Sequence, residues 1–315
     1  MTRPLSPYLV TALVLTALAL LVALGWGNGR LAWPSDAVDW RIVTDIRLPR
    51  TLAALVTGSL LALAGALMQV LLRNPLADPY VLGVSGGAAA FALGGMLLGA
   101  AFVPIELLAF GGALFSSVLV FVLGQGSGPW STTRMLLTGV VVAAGWGAVI
   151  SLMLVLGDDR SLRGMMFWLM GDLSYARVSA WWLAALLAIV GVLLLRARSL
   201  NVLSAGETQA ALLGEDPRRR YTEIYVVASA LTGLAVSIAG TVGFVGLIVP
   251  HLVRLIVGAD HRRLLPISAA CGGAFLVLAD TLARNLFSPR QLPVGVLTAL
   301  VGVPLFLILL RRSGR

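Results

Sequence analysis

Long apolar runs follow one another along the chain, each bounded by a short polar segment. At a rise of about 1.5 Å per residue, a helix needs about 20 apolar residues to cross the roughly 30 Å hydrocarbon core of a bilayer. Runs of this length predict membrane-spanning helices. The predicted spans are Tyr8–Trp26, Thr51–Leu72, Tyr80–Val103, Leu107–Leu123, Met135–Leu156, Val178–Leu195, Ile224–Thr241, Val242–Val257, Leu264–Ala283 and Val294–Leu310.

The division between the seventh and eighth spans rests on breaker residues. The stretch from Ile224 to Val253 carries no Asp, Glu, Lys or Arg, and its roughly 30 residues are too many for one untilted crossing. Gly240, Gly243 and Pro250 permit a break within it. We therefore predict two helices there and about ten in all, which makes residues 1–315 a single all-α, polytopic membrane domain.

Composition supports a membrane protein and argues against an enzyme. The 315 residues are 59% hydrophobic and 12% charged, against about 25% charged in soluble domains. All 23 basic residues are arginines, whereas a nucleotide-hydrolysing P-loop needs a lysine to reach the β- and γ-phosphates. We expect any ATP and Mg²⁺ to be bound by a partner. Nucleic acid is not expected as a partner, because the arginines do not cluster on a soluble domain.

Resident metals and cofactors are not expected. Cys271 is the single cysteine and lies in an apolar stretch, and no HExxH pattern occurs. A secondary transporter driven by an ion gradient is the alternative to ATP-driven transport, and it would need a coupling acid at mid-membrane. Glu106, Asp280 and His251 are interpreted as structural, and His261 is expected to be solvated in a loop.

The distribution of arginine indicates the orientation. With ten spans both termini lie on one side, and placing them in the cytoplasm puts 14 arginines inside, from Arg3 to Arg315, and nine outside. This predicts that the N- and C-termini lie in the cytoplasm.

The longest polar segment on the predicted inner side spans residues 199–221. Ser204 is predicted to cap a short helix that Gly214 ends, and Asp216 to cap a second short helix with Pro217 at its first position. Two surface helices with an apolar patch and an arginine cluster suit docking to a soluble partner. A solvated connector remains the alternative.

Several motifs, in order along the chain, resemble the FecCD/BtuC-like permease family of type II ATP-binding-cassette (ABC) importers. This is the family of the vitamin B12 (cobalamin), haem and iron-siderophore permeases. The motifs are Arg-Leu-Pro-Arg at 47–50, Gln-Val-Leu-Leu-Arg-Asn-Pro-Leu-Ala-Asp-Pro-Tyr-Val-Leu-Gly-Val-Ser-Gly-Gly-Ala at 69–88, Phe-Trp-Leu-Met-Gly-Asp-Leu at 167–173, Gly-Phe-Val-Gly-Leu-Ile-Val-Pro-His-Leu-Val-Arg at 243–254, Leu-Ala-Asp-Thr-Leu-Ala-Arg at 278–284 and Leu-Pro-Val-Gly at 292–295.

The resemblance implies a homodimer of ten-helix subunits around a central path in the bacterial inner membrane, with two cytoplasmic ATPase subunits and a periplasmic binding protein. It assigns contacts with the binding protein to Arg47, Arg50 and Arg284, for which contact with lipid headgroups is the alternative. Arginine suits that contact because its planar guanidinium can form two parallel hydrogen bonds with one carboxylate.

The resemblance also assigns the inner end of the path. It places a cytoplasmic gate at Asn74, Leu76, Thr132 and Thr133, and the ATPase contact at Leu212, Leu213, Gly214, Glu215 and Asp216. Residues 158–173 resemble an outer gating helix. Which of iron-siderophore, haem or cobalamin is carried stays open, because selectivity in this family resides in the binding protein.

Overall fold

The computed structural model describes residues 5–27, 30–31, 33–99, 102–125 and 130–313. The predictions for Arg3 and Arg315 lie outside them. Eight helices in this part of the chain are long and apolar enough to cross a membrane, and two shorter apolar helices, Val84–Leu97 and Val245–Val257, accompany them. Each of the ten predicted spans coincides with one of these helices, so the predicted fold class is confirmed.

The described ranges contain thirteen α-helices. They are α1 Leu5–Gly25, α2 Ala37–Ile42, α3 Leu48–Leu71, α4 Val84–Leu97, α5 Ile105–Gln125, α6 Thr132–Leu156, α7 Asp159–Leu169, α8 Trp181–Ser204, α9 Glu207–Leu212, α10 Pro217–Ala239, α11 Val245–Val257, α12 His261–Asn285 and α13 Val294–Ser313. A π-helical segment, Val43–Arg47, joins α2 to α3, and a 3₁₀ turn, Pro79–Leu82, precedes α4. Two antiparallel two-residue strands, Trp26–Gly27 and Arg30–Leu31, follow α1.

Helix α3 is the centre of the molecule. Nearly all of its side chains are buried, and it packs against α10, α11 and α12. Glycines allow the backbones to approach: a Cβ on Gly65 would lie 1.8 Å from the Gly246 carbonyl oxygen. Small residues of this kind let membrane helices pack closely through van der Waals contact. The core therefore forms as a bundle around a helix that has almost no contact with lipid.

Two predicted spans are shorter than the apolar runs that predicted them. The third begins only after the 3₁₀ turn, which Asp78 caps by accepting from the Tyr80 N–H, and after Gly83 in the left-handed conformation at φ +72°. The eighth begins at Val245, because the chain from Gly240 to Phe244 is not helical. Local hydrogen bonding and backbone conformation, rather than hydropathy, set both helix starts.

The segment that connects α1 to α3 is partly helical. Asp36 caps α2 by accepting from the Asp39 N–H at 2.8 Å, and helical structure continues from there into α3. A capping aspartate supplies the acceptor that the first free N–H groups of a helix require.

Candidate functional site

The turn that follows α9 is fixed by its own backbone. The Gly214 N–H donates to the Ala211 carbonyl at 3.0 Å, and the Glu215 N–H donates to the Ala210 carbonyl at 3.0 Å. This is the Schellman pattern that ends many helices. Gly214 has φ +82°, which glycine adopts without the steric cost of a Cβ. The prediction that Gly214 ends the short helix is confirmed.

This turn presents apolar side chains outward. Leu212 is 82% exposed and Leu213 is 69% exposed, whereas Ala210 is fully buried beneath them. Asp216 caps α10 by accepting from the Arg218 N–H at 3.1 Å, as predicted. The capped helix is the long α10, however, and not a second short helix.

Ser204 does not cap α9, contrary to prediction. It is the last residue of α8, and its hydroxyl donates to the Leu200 carbonyl at 2.9 Å. Bonding back to the preceding turn uses the hydroxyl that a cap would need. Gly206 takes the capping position instead.

Ion pairs tie the turn to the bundle. The Arg220 Nε lies 2.7 Å from the Glu215 Oε2, and its Nη1 lies 2.8 Å from the Glu223 Oε2. The hydrogen bond from Arg220 lowers the pKa of the Glu215 carboxyl. The position of Glu215 is therefore set by a contact between ionised groups.

A second tie joins α9 to the end of α3. The Arg73 Nη2 lies 3.1 Å from the Glu207 Oε1 and 2.6 Å from the Tyr221 hydroxyl oxygen. The guanidinium also lies 5.7 Å from the Tyr221 ring centroid, within the range of a cation–π contact. Arg73 thus contacts both α9 and the first turns of α10. Its hydrogen bond with Tyr221 raises the pKa of the guanidinium, so it remains charged.

The first pair of predicted gate residues lies immediately after Arg73. Helix α3 ends in a second Schellman pattern, in which the Asn74 N–H donates to the Gln69 carbonyl at 3.2 Å. The Asn74 Oδ1 accepts from the Leu76 N–H at 2.9 Å, which closes a tight turn. Asn74 and Leu76 therefore sit in one ordered turn directly after Arg73, and Arg73 is paired with Glu207 of α9.

The second pair of predicted gate residues opens α6. Thr132 and Thr133 are its first two residues, and Ser131 caps the helix through the Arg134 N–H at 3.3 Å. Helix α6 packs on the 3₁₀ turn, where a Cβ on Gly139 would lie 2.6 Å from the Val81 carbonyl oxygen. The gating role of both pairs stays a prediction.

At the other end of the bundle, Arg50 is held by a buried carboxylate. Its Nη2 lies 2.8 Å from the Asp280 Oδ1, and it is 6% exposed against 1% for Asp280. The Arg50 Nη1 also donates to the Gln291 Oε1 at 2.8 Å and to the Ser174 Oγ at 3.3 Å. Asp280 is therefore a charge partner within the bundle, in line with its structural interpretation.

Arg284 and Arg47 complete this outer cluster. The Arg284 Nε lies 3.3 Å from the Asp280 Oδ2. The Arg284 Nη2 donates to the Ala23 carbonyl at 3.1 Å, and the Arg47 Nη1 donates to the Leu24 carbonyl at 2.8 Å. Cations at the free carbonyls that end a helix are favourable. The structure thus brings the three predicted docking arginines together, and their contact with a binding protein stays a prediction.

The predicted outer gating helix corresponds to α7. Asp158 caps it through the Ser161 N–H at 3.1 Å. Its last carbonyl, on Leu169, accepts from the Thr241 hydroxyl, and the Asp172 N–H donates to the Ala239 carbonyl at 2.9 Å. The helix therefore rests on the break between α10 and α11.

His261 is buried rather than solvated, which corrects the expectation from sequence. It is 0% exposed, and its Nδ1 lies 2.7 Å from the Asn201 Oδ1. The loop expected there is in fact the first turn of α12, capped by Asp260. Among the described residues no three His, Cys, Asp or Glu side chains gather where they could hold a metal ion.

Sequence reasoning missed the role of Arg73 and the pairing of Asp280. Both residues lie inside the motifs quoted above, so the resemblance marked their segments. The decisive partners lie far away in sequence: Tyr221 is 148 positions from Arg73, and Arg50 is 230 positions from Asp280.

The model of the FecCD transport family matches residues 9–312, nearly the whole chain. The chain belongs to the FecCD transport family. It is 45% identical to the cobalamin import system permease protein BtuC of Halobacterium salinarum, covering 90% of this chain and 80% of that protein. It is 40% identical to the hemin transport system permease protein HmuU of Yersinia pestis, covering 99% and 98%.

A solved structure has the same fold. It is described as an inward-facing conformation of a metal-chelate type ABC transporter, and it matches with a TM-score of 0.86 at 31% identity over 96% of this chain and 98% of its own. This member of the FecCD family is a multi-pass membrane protein and a permease subunit of an ABC importer. An ion-gradient-driven secondary transporter is not favoured.

Proposed function

We propose that the chain conducts cobalamin, haem or a ferric siderophore across the inner membrane, powered by two separate ATPase subunits that bind ATP and Mg²⁺. The names of the relatives support these cargoes, and the absence of lysine from the sequence supports a separate ATPase. The orientation proposed, with cytoplasmic termini, follows the excess of arginine on the inner side.

One observation carries the proposal that a separate ATPase binds this chain: an exposed pair of leucines lies on a turn that is held rigidly in place. Leu212 and Leu213 project from a turn closed by backbone hydrogen bonds and held by the Arg220–Glu215 ion pair. A preformed apolar projection binds a partner without a large cost of ordering. Gly214, Glu215 and Asp216 shape the turn, so we assign all five residues to the ATPase contact.

We propose that α6 packs against a second copy of the chain. Only 6% of its most apolar window is buried. Its exposed positions include the small residues Ala144, Gly147, Ala148 and Ser151, and small residues four positions apart allow close packing of membrane helices. In such a homodimer the two copies of α6 line the path, and its first residues, Thr132 and Thr133, face the gate turn of Asn74 and Leu76.

The periplasmic binding protein is proposed to dock at the outer cluster. Asp280 fixes the orientation of Arg50 and Arg284, and Arg47 lies beside them on the end of α1. A positive cluster of fixed geometry would attract acidic side chains on the binding protein, and the attraction would weaken as salt rises.

The proposal is tested by reconstitution. Proteoliposomes containing the chain, its ATPase and its binding protein should take up one of the three cargoes only when ATP is supplied to the ATPase. Uptake by the chain alone under an ion gradient would overturn the proposal.

The coupling surface is tested separately by co-purification. Leu212→Glu and Leu213→Glu should each prevent the ATPase from co-purifying with the chain, because each places a charge in an apolar contact. Leu286→Glu is the control, since Leu286 is also exposed, at 57%, but lies at the opposite end of the bundle. Unchanged co-purification of both test variants would refute this assignment.

A further inference from the structure

An apolar groove runs along the bundle between α8 and α10. It has a volume of about 580 Å³, and Leu67 of α3 lies at its base. Its walls are aliphatic side chains, among them Ala188, Val192, Val227 and Leu234. The groove is separate from the turn at residues 212–216 that carries the exposed leucines, which we call the coupling turn. It is also separate from the gate residues and from the outer cluster.

The groove has the dimensions of half a bilayer. Arg220 and Leu234, at the two ends of its α10 wall, are fourteen residues apart. At about 1.5 Å per residue this is about 21 Å, close to the roughly 20–22 Å of one leaflet with its headgroup region. Its polar lining residues, Arg196, Ser199, Arg220 and Glu223, lie near the ends of α8 and α10 that border α9. A molecule filling it would be apolar along its length and polar at that end.

The charge at the polar end favours an anion. Arg220 is already paired with Glu215 and Glu223. Arg196 is exposed. Together with the hydrogen bond from Arg220, its charge lowers the pKa of the Glu215 carboxyl, and it also interacts with the Glu223 carboxylate. In the part of the chain that the structure describes, however, it makes no ion pair within 4 Å, so its N–H groups are available to a ligand. An arginine of this kind, at the mouth of an apolar groove between membrane helices, suits a lipid phosphate.

We propose that this groove is a binding site for an anionic phospholipid. One acyl chain lies between α8 and α10, and the phosphate accepts hydrogen bonds from Arg196. Bound there, the headgroup lies beside the Arg220–Glu215 pair that holds the coupling turn. In the proposed orientation the lipid comes from the cytoplasmic leaflet.

Native mass spectrometry of the full chain, titrated with phosphatidylglycerol or phosphatidylcholine of identical acyl chains, tests the site. The wild-type chain should hold one phosphatidylglycerol with about fivefold higher affinity than phosphatidylcholine, the effect of one arginine near a lipid phosphate. Arg196→Ala should abolish the preference, and Arg196→Lys should retain most of it. Arg198→Ala is the matched control, because Arg198 is equally exposed two residues away but does not line the groove.

A second pair of variants tests the groove itself. Ala188→Trp fills the groove and should reduce binding of both lipids, whereas Leu187→Trp, at an exposed neighbour that does not line it, should not. Equal binding of the two lipids to wild type would indicate ordinary bilayer lipid and overturn the proposal. So would equal losses in Arg196→Ala and Arg198→Ala, or a loss of chain–chain association in Ala188→Trp, which would make the groove a contact between copies.

Discussion

Asp280→Asn replaces the carboxylate that Arg50 and Arg284 share with a neutral amide of nearly the same size. The substitution leaves both guanidiniums in place, at side-chain exposures of 7% and 10%, without a counter-charge. Removing one partner of a buried ion pair costs about 3–5 kcal/mol, since the remaining charge is left uncompensated. Arg50 keeps its bonds to Gln291 and Ser174, so we expect the lower end, about 3 kcal/mol.

The charge balance predicts an asymmetry among the members of the cluster. Arg284→Met leaves Arg50 and Asp280 as a neutral pair, so it should cost clearly less than Asp280→Asn. Its ion pair is also the longer of the two, at 3.3 Å against 2.8 Å. If Arg50, Asp280 and Arg284 act as one unit, the double variant Asp280→Asn/Arg284→Met should lose less free energy of unfolding than the two single variants lose in sum.

Unfolding of the purified chain in mixed detergent micelles, followed by circular dichroism, measures these differences. Asp45→Asn is the control, because Asp45 is an exposed acid at the same end whose carboxylate accepts from the Thr44 hydroxyl. Its stability should equal that of the wild type. If Asp280→Asn proves as stable as Asp45→Asn, the cluster does not depend on buried charge pairing and the reasoning fails.

Three further predictions concern the inner end. Arg73→Glu should lower uptake per ATP hydrolysed, and adding Glu207→Arg should restore part of it. The half-exposed ion pair itself should contribute less than about 1 kcal/mol to stability, and any further loss should come from the contacts of Arg73 with Tyr221. Asp216→Ala should cost about 1 kcal/mol through loss of the helix cap, measured as faster amide exchange in the first turn of α10. The Glu215–Arg220 contact lowers the carboxyl pKa below its ordinary value of 4.5. The stabilisation from this contact is therefore complete above pH 4.5 and is lost as the pH falls through the folded pKa of Glu215. Amide exchange in the turn, measured from pH 6 down to pH 3, would detect that loss.

The transmembrane helices were predictable because a bilayer leaves few alternatives to long apolar helices. Their boundaries were less so, since they depend on single hydrogen bonds and dihedral angles. The 3₁₀ turn capped by Asp78 removed several residues from the third span, and the non-helical chain after Gly240 removed others from the eighth. Gly214 and the Asp216–Pro217 pair were recognised in advance because their signals are local.

Contacts between distant parts of the chain could not be predicted from the sequence. Nothing near Asp280 indicates that Arg50, on another helix, points at it. His261 was misassigned for a related reason: its neighbours in sequence are polar, but the Asn201 side chain that buries it lies 60 positions away. Tertiary packing decides which polar residue is solvated and which is paired, and the hydropathy of the sequence does not predict the outcome.

Helix α3 connects the two charged ends of this permease. Arg50 lies in its first turn, Arg73 lies two residues beyond its end, and the 24-residue helix is almost wholly buried. At about 1.5 Å per residue the helix is about 36 Å long, and its backbone is in close contact with that of α11 at Gly65 and Gly246. A displacement of α9 by the ATPase would therefore reach α3 through Arg73 and move it together with α10, α11 and α12. Helix α6 is in close contact with the 3₁₀ turn at Gly139 but exposes most of its most apolar stretch. We therefore expect opening of the path to occur beyond that contact, between the first residues of α6 and the gate turn.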